Sequence, residues 1–148
     1  FETLNATITK AIKEAAAVIA KQYSASEIQL VDKGWTAHDA TVLAEILKSN
    51  TSVTKVYLNR NKEIGDEGAK ALAEALKVNK AVEVLQLGDC GIGNGGAAAL
   101  AEALRSNTSL TVLYLGDNKR IGKHAKQLLR DAVADRQGFK LMGGAWLK

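Results

Sequence analysis

Val53-x-x-Val56-x-Leu58-x-x-Asn61, followed by Ile64-Gly65 and the run Ala69-Lys70-Ala71-Leu72-Ala73-Glu74-Ala75-Leu76-Lys77, decides the fold. The same template returns as Val82-x-x-Leu85-x-Leu87-x-x-Cys90 and as Leu110-x-x-Leu113-x-Leu115-x-x-Asn118. A looser copy, Ala25-x-x-Ile28-x-Leu30-x-x-Lys33, precedes the first by the same step. The second half of each unit also recurs, with Ile92-Gly93 and Ile121-Gly122 in the place of Ile64-Gly65, and Trp35-Thr36 in the first unit. Self-similarity at a period of about 28 residues is the signature of a repeat architecture.

Within a unit, Ala69, Leu72, Ala73 and Leu76 fall on one helical face while Lys70, Glu74 and Lys77 fall opposite. Each unit therefore reads as a short strand, a turn and a helix of about 12 residues. Strand-helix alternation implies parallel strands joined by right-handed crossovers. Strands pack about 4.8 Å apart and helices no closer than about 8 to 10 Å, so the stack must bend toward its strands. The expected fold class is α/β, a short horseshoe solenoid with a concave parallel sheet and convex helices. Strands are expected near Gln29, Tyr57, Gln86 and Tyr114.

Residues 25–138 are assigned to four repeats. The stripe Leu4, Ile8, Ile12, Ala15, Ile19 and Tyr23 suggests a helical cap over residues 1–24, and residues 139–148 are read as a C-terminal cap or the start of a further strand, with Trp146 over the open end. The chain has 148 residues, 47% of them hydrophobic and 24% charged, which excludes the composition of disorder. No apolar run approaches the roughly 20 residues of a membrane span. A single cysteine, Cys90, cannot form an internal disulfide, so the chain either works in a reducing compartment or was never built around disulfides, and an intracellular, cytoplasmic setting is expected. The chain begins at Phe1 rather than Met, so a processed or partial chain is expected.

Units of this length containing LAEILKSNTSV (43–53), IGDEGAKALAEALKVNK (64–80) and LAEALRSNTSLTVLYL (100–115) resemble the ribonuclease-inhibitor type of leucine-rich repeat. That repeat class occurs in ribonuclease inhibitor, nucleotide-binding innate immune receptors, Ran GTPase-activating protein and tropomodulins. Lys33 and Cys90 depart from the Asn that the pattern expects at the strand end, and Lys33 marks the first repeat as divergent. The resemblance implies a non-enzymatic scaffold that binds another protein, as a subunit or fragment of a larger assembly. Two alternatives travel with it, a GTPase-activating regulator of the Ran type and tropomodulin-like binding at actin ends.

Catalytic and metal constellations are not found. His38 and His124 occupy the same slot three repeats apart, too distant to share a metal. Gly91-Ile92-Gly93-Asn94-Gly95-Gly96 misses the dinucleotide fingerprint by one position, and its glycines recur as repeat turns. Cys90 has no evident base to activate it. No cofactor and no metal are therefore expected. Asn5, Asn50 and Asn107 open sequons, but the last two end helices, where Asn is expected to take the left-handed conformation. Nucleic acid is not expected as a partner, because aromatic and basic residues do not interleave along one groove.

A partner is expected on the concave sheet, on the basic last repeat, or on both. Alternation along each strand turns Gln29, Tyr57, Gln86 and Tyr114 outward, flanked by Lys55 and Asn59, with Arg60, Asp89 and Asp117 beyond. Exposed tyrosines beside polar groups are preferred interface anchors. Arg60 and Asn59 are also the only candidates for stabilising a phosphoryl transition state, although no motif carries such a role onto them. From Lys119 onward eight basic residues face two acidic ones, +6 within a chain whose net charge is +4. Lys126 and Arg130 in that stretch are the candidates for steering an acidic partner.

Overall fold

A computed structural model describes residues 26–143. The order is β1 (Glu27–Gln29), α1 (Ala37–Ser49), β2 (Lys55–Tyr57), α2 (Gly65–Val78), β3 (Val84–Gln86), α3 (Asn94–Ser106), β4 (Val112–Tyr114), α4 (Lys123–Ala132) and β5 (Lys140–Met142). The five strands form one sheet in sequence order, every pair parallel. The register places Ile28, Val56, Leu85, Leu113 and Leu141 side by side, so the spacing of the template is the spacing of the sheet. The strands are centred on these core residues, and Gln29, Tyr57, Gln86 and Tyr114 are the last residues of the first four. Backbone hydrogen bonds between neighbouring repeats continue past these residues into the turns, as from the Leu30 and Asp32 N–H groups to Tyr57 O and Asn59 O, both at 2.9 Å. Residues 139–148 contribute the further strand β5, at Lys140–Met142. The proposed cap over residues 1–24 and the placement of Trp146 lie outside the described residues.

The core is the slab between sheet and helices. Ile28, Leu43, Leu58, Leu72, Leu85, Leu100 and Leu113 are essentially without solvent exposure, and Ala69, Ala73, Ala97 and Ala101 bring the helices close to one another. Polar side chains fix several of the helix starts. Thr36 and Asp39 form a reciprocal capping box on α1, with the Thr36 N–H donating to Asp39 Oδ2 at 2.9 Å. Asp66 instead reaches across to the next repeat, where its Oδ1 accepts from the Gly93 and Gly96 N–H groups at 2.7 and 3.0 Å. Asn94 does the same one repeat on, its Oδ1 accepting from Gly122 N–H at 2.6 Å. These contacts tie neighbouring repeats together through donors that a helix start leaves orphaned.

Helix ends are closed differently from the expectation. Asn50, Asn79 and Asn107 have φ of −78°, −74° and −79°, which is extended and not left-handed. Their function lies in the side chain. Asn79 Nδ2 donates to Leu47 O at 2.7 Å and Asn107 Nδ2 to Leu76 O at 2.7 Å, each satisfying the end of the preceding helix. Their Oδ1 atoms accept from the backbone of the following turn, at Val82 and Leu110. Arg136 takes the corresponding place in the last repeat, its guanidinium donating to Leu104 O and Leu110 O and lying over the Phe139 ring. Burial pulls that guanidinium below its usual pKa.

Candidate functional site: the concave sheet and its rim

The outward positions of the strands assemble into continuous rows. Gln29, Tyr57, Gln86, Tyr114 and Met142 pair in register across the sheet, beside a second row of Glu27, Lys55, Val84, Val112 and Lys140. Six of the candidate residues, Gln29, Lys55, Tyr57, Asn59, Gln86 and Tyr114, thus share one surface. Lys55 Nζ lies 3.5 Å from Glu27 Oε1. Asn59 Nδ2 donates to Gln86 Oε1 at 2.7 Å, and its Oδ1 accepts from the Gly88 N–H at 2.7 Å. These bonds hold the Asn59 amide in place.

Tyr114 does not stand away from the sheet. A methyl group added to Gly88 or to Gly116 would collide with its ring, so the ring lies across these two glycines and both are buried beneath it. Tyr57 and Tyr114 are half-buried. Met142 extends the row and is 46% exposed. Sequence reasoning misses it, although it stands one repeat beyond Tyr114 and that recurrence carries the signal.

Arg60, Asp89 and Asp117 sit one step outside this surface, on the turns at the carboxyl ends of the strands. All three have positive φ, at 67°, 51° and 60°, as does the equivalent Asp32 at 54°. Asp89 Oδ2 is 3.9 Å from Lys62 Nζ. Lys126 and Arg130 are on α4, in the helical layer, and are not part of the concave cluster.

Behind the turns runs a buried polar ladder. Asn61 Nδ2 donates to Leu30 O and Leu58 O at 2.8 and 2.7 Å, while Oδ1 accepts from the Lys33 and Trp35 N–H groups, both at 3.0 Å. Asn118 repeats the arrangement with Leu87 O, Leu115 O and the N–H groups of Cys90 and Ile92. Cys90 fills the intervening rung, its Sγ donating to Leu58 O at 3.1 Å. Burial pushes its thiol up to about 11; the Asn61 and Arg60 backbone oppose this, and the Asp89 charge adds to it. A thiol in that state is a poor nucleophile.

His38 and His124 are exposed on α1 and α4. Among the described residues no group of three or more His, Cys, Asp or Glu side chains is placed to hold a metal ion. Among them also, no helix is long and apolar enough to cross a membrane. Asn107 is 4% exposed and its amide nitrogen is bonded to Leu76 O and Asn79 O, which leaves no room for a glycan on the folded chain.

Among the described residues, five parallel strands backed by four helices, with in-register core columns and an asparagine ladder, define a leucine-rich-repeat solenoid. The family described as "Leucine Rich repeat" matches residues 49–73, 78–101 and 106–123. Among solved structures 47 chains match. One of them, "Leiomodin-1 Actin-Binding Site 2 (ABS2)", is similar over 88% of this chain and 76% of that chain, at a TM-score of 0.77 and 24% sequence identity. No curated protein matches the sequence.

Proposed function

We propose that this chain is a non-enzymatic, protein-binding scaffold built from ribonuclease-inhibitor-type repeats, and that Tyr57 and Tyr114 anchor its partner on the concave sheet. The observation that carries the reading is the row itself. Two half-buried tyrosines flank Gln86 in register, and Tyr114 is seated on a floor of two glycines. Such rings offer a large contact area at small entropic cost. An open parallel sheet is also rarely left uncovered. A cytoplasmic role within a larger complex fits this reading.

The test is affinity capture followed by measurement with the purified partner. Tyr57→Ala/Tyr114→Ala should fold normally and bind more weakly by more than about 2 kcal/mol. Unchanged affinity would move the site to α4, with Lys126 and Arg130, where charge reversal acts mainly on association rate and salt dependence. A second reading, binding at actin ends, draws support from the likeness to the leiomodin actin-binding site. It predicts that the chain alters the kinetics of actin polymerisation. A Ran-type GTPase-activating role draws less support, because no motif carries a catalytic role onto Arg60 or Asn59.

A further inference from the structure

The repeats alternate in the length of the turn between strand and helix. The path from Leu58 to Ile64 and from Leu115 to Ile121 is one residue longer than the path from Leu87 to Ile92. Glu63 and Arg120, within the longer turns, make isolated parallel bridges to Thr36 and Gly93 of the neighbouring repeats. Two longer turns therefore stand on either side of a short one, and the space between them is an open cleft of about 410 Å³. One wall carries Lys62, the other Asp117, Lys119 and Arg120, and Asp89, Gly91 and Ile92 of the short turn contribute to the base.

The cleft is a built feature. Gly91 has φ of +68°, and a methyl group on it would collide with Lys62 O, so only glycine lets the short turn pass beneath its neighbour. Arg120 Nη2 donates to Gly91 O at 2.5 Å, which braces the far wall against the base. The lining carries three cations, Lys62, Lys119 and Arg120, against two carboxylates, Asp89 and Asp117, and Lys62 Nζ stands 3.9 Å from Asp89 Oδ2, so the cleft keeps a net positive charge. Lys119 is exposed, and the cleft opens where the +6 segment begins.

We infer that this cleft docks an acidic segment of a partner protein, its carboxylates held between Lys62 on one wall and Lys119 and Arg120 on the other. The inference rests on the scaffold reading and adds the chemistry of the partner.

The probe is a fluorescein-labelled octaglutamate peptide, followed by anisotropy at an ionic strength of about 0.15 M, where the Debye length is about 8 Å and distant charges are screened, with octalysine as the opposite-charge control. Octaglutamate should bind, and Lys62→Glu/Lys119→Glu should weaken it at least tenfold. Both side chains are on the outside of the molecule, and a urea midpoint checks that the variant folds; Lys119→Gln, which only removes charge, should weaken binding about threefold. Lys48→Glu/Lys77→Glu on the helical layer makes the same change in net charge and should alter binding less than twofold. Equal loss in both double variants, preference for octalysine, or no binding of octaglutamate would each overturn the inference. Tyr57→Ala/Tyr114→Ala should leave octaglutamate binding within twofold, so failure of the cleft and failure of the sheet register as different results.

Discussion

Two columns of residues cross the repeats one position apart in sequence, and they obey different rules. The inner column is Lys33, Asn61, Cys90 and Asn118; the outer is Asp32, Arg60, Asp89 and Asp117. Asn61, Cys90 and Asn118 are 0%, 0% and 2% exposed, and their side chains bond to backbone groups that water cannot reach. The outer column is exposed or half-buried and is constrained by its backbone, since all four residues have positive φ. Burial selects a side chain for its hydrogen bonds, whereas the left-handed turn selects it for its conformational tolerance. A departure from the pattern therefore means different things in the two columns.

The largest effect is expected in the inner column. Asn118→Ala removes the bonds donated to Leu87 O, Leu115 O and Gly116 O and the two accepted from Cys90 and Ile92, and strands buried carbonyl and amide groups of two repeats. Its cost should match that of a core truncation such as Leu100→Ala, about 2 to 5 kcal/mol. In a short solenoid each repeat depends on its neighbours, so that loss is a large fraction of total stability. Urea midpoints that barely move for Asn118→Ala would show that the ladder is ornamental and that the comparison between columns fails.

Cys90 tests the middle of the same column. Its thiol is raised from 9.0 to about 11. The folded state thus favours the neutral thiol, and the stability associated with this group is constant below about pH 9. It declines as the unfolded chain ionises first, through the window from 9 to about 11. Alkylation of the native chain at pH 8 should run at least about a hundredfold slower than in urea, from thiolate content alone. Comparable rates would place the sulfur outside the ladder. Cys90→Ala should cost about 1 kcal/mol, less than Asn118→Ala, because a thiol is the weaker partner.

The columns also explain what could be read in advance. Ile28, Val56, Leu85 and Leu113 reveal the sheet because burial repeats the same demand once per repeat, and the parallel register follows from that spacing. The outward row is legible by alternation for the same reason. The seat of Tyr114 is not, because it depends on Gly88 and Gly116 coming under one ring, and that contact joins two turns. Asn107 reads as a left-handed cap because a helix end seen alone poses only a local question. Its actual partner, Leu76 O, belongs to the previous repeat. Arg136 hides in the same slot, since an arginine does not resemble the asparagine whose bonds it replaces.

The smallest effect is the most discriminating, because its sign differs from the others. Arg60 is the only member of the outer column that is not Asp, and it holds a φ of 67° with a long side chain exposed to solvent. A left-handed residue costs roughly 1 to 2 kcal/mol unless it is Gly, Asn or Asp, whose absent or short polar side chains tolerate the conformation. Arg60→Asn should therefore stabilise the fold by about 0.5 to 1 kcal/mol, lessened by a few tenths because the guanidinium lies in the field of the neighbouring Asp32 and Asp89 turns. Arg60→Ala should bring no such gain, since alanine shares the steric penalty. The same Arg60→Asn change should weaken the partner complex, because a strained and exposed cation beside Tyr57 and Asn59 is better suited to recognition than to folding. Opposite movements of the urea midpoint and the affinity would mark Arg60 as a binding residue. If both fell together, the side chain would be a structural member of the outer column, and the contrast between the two columns would lose its functional meaning.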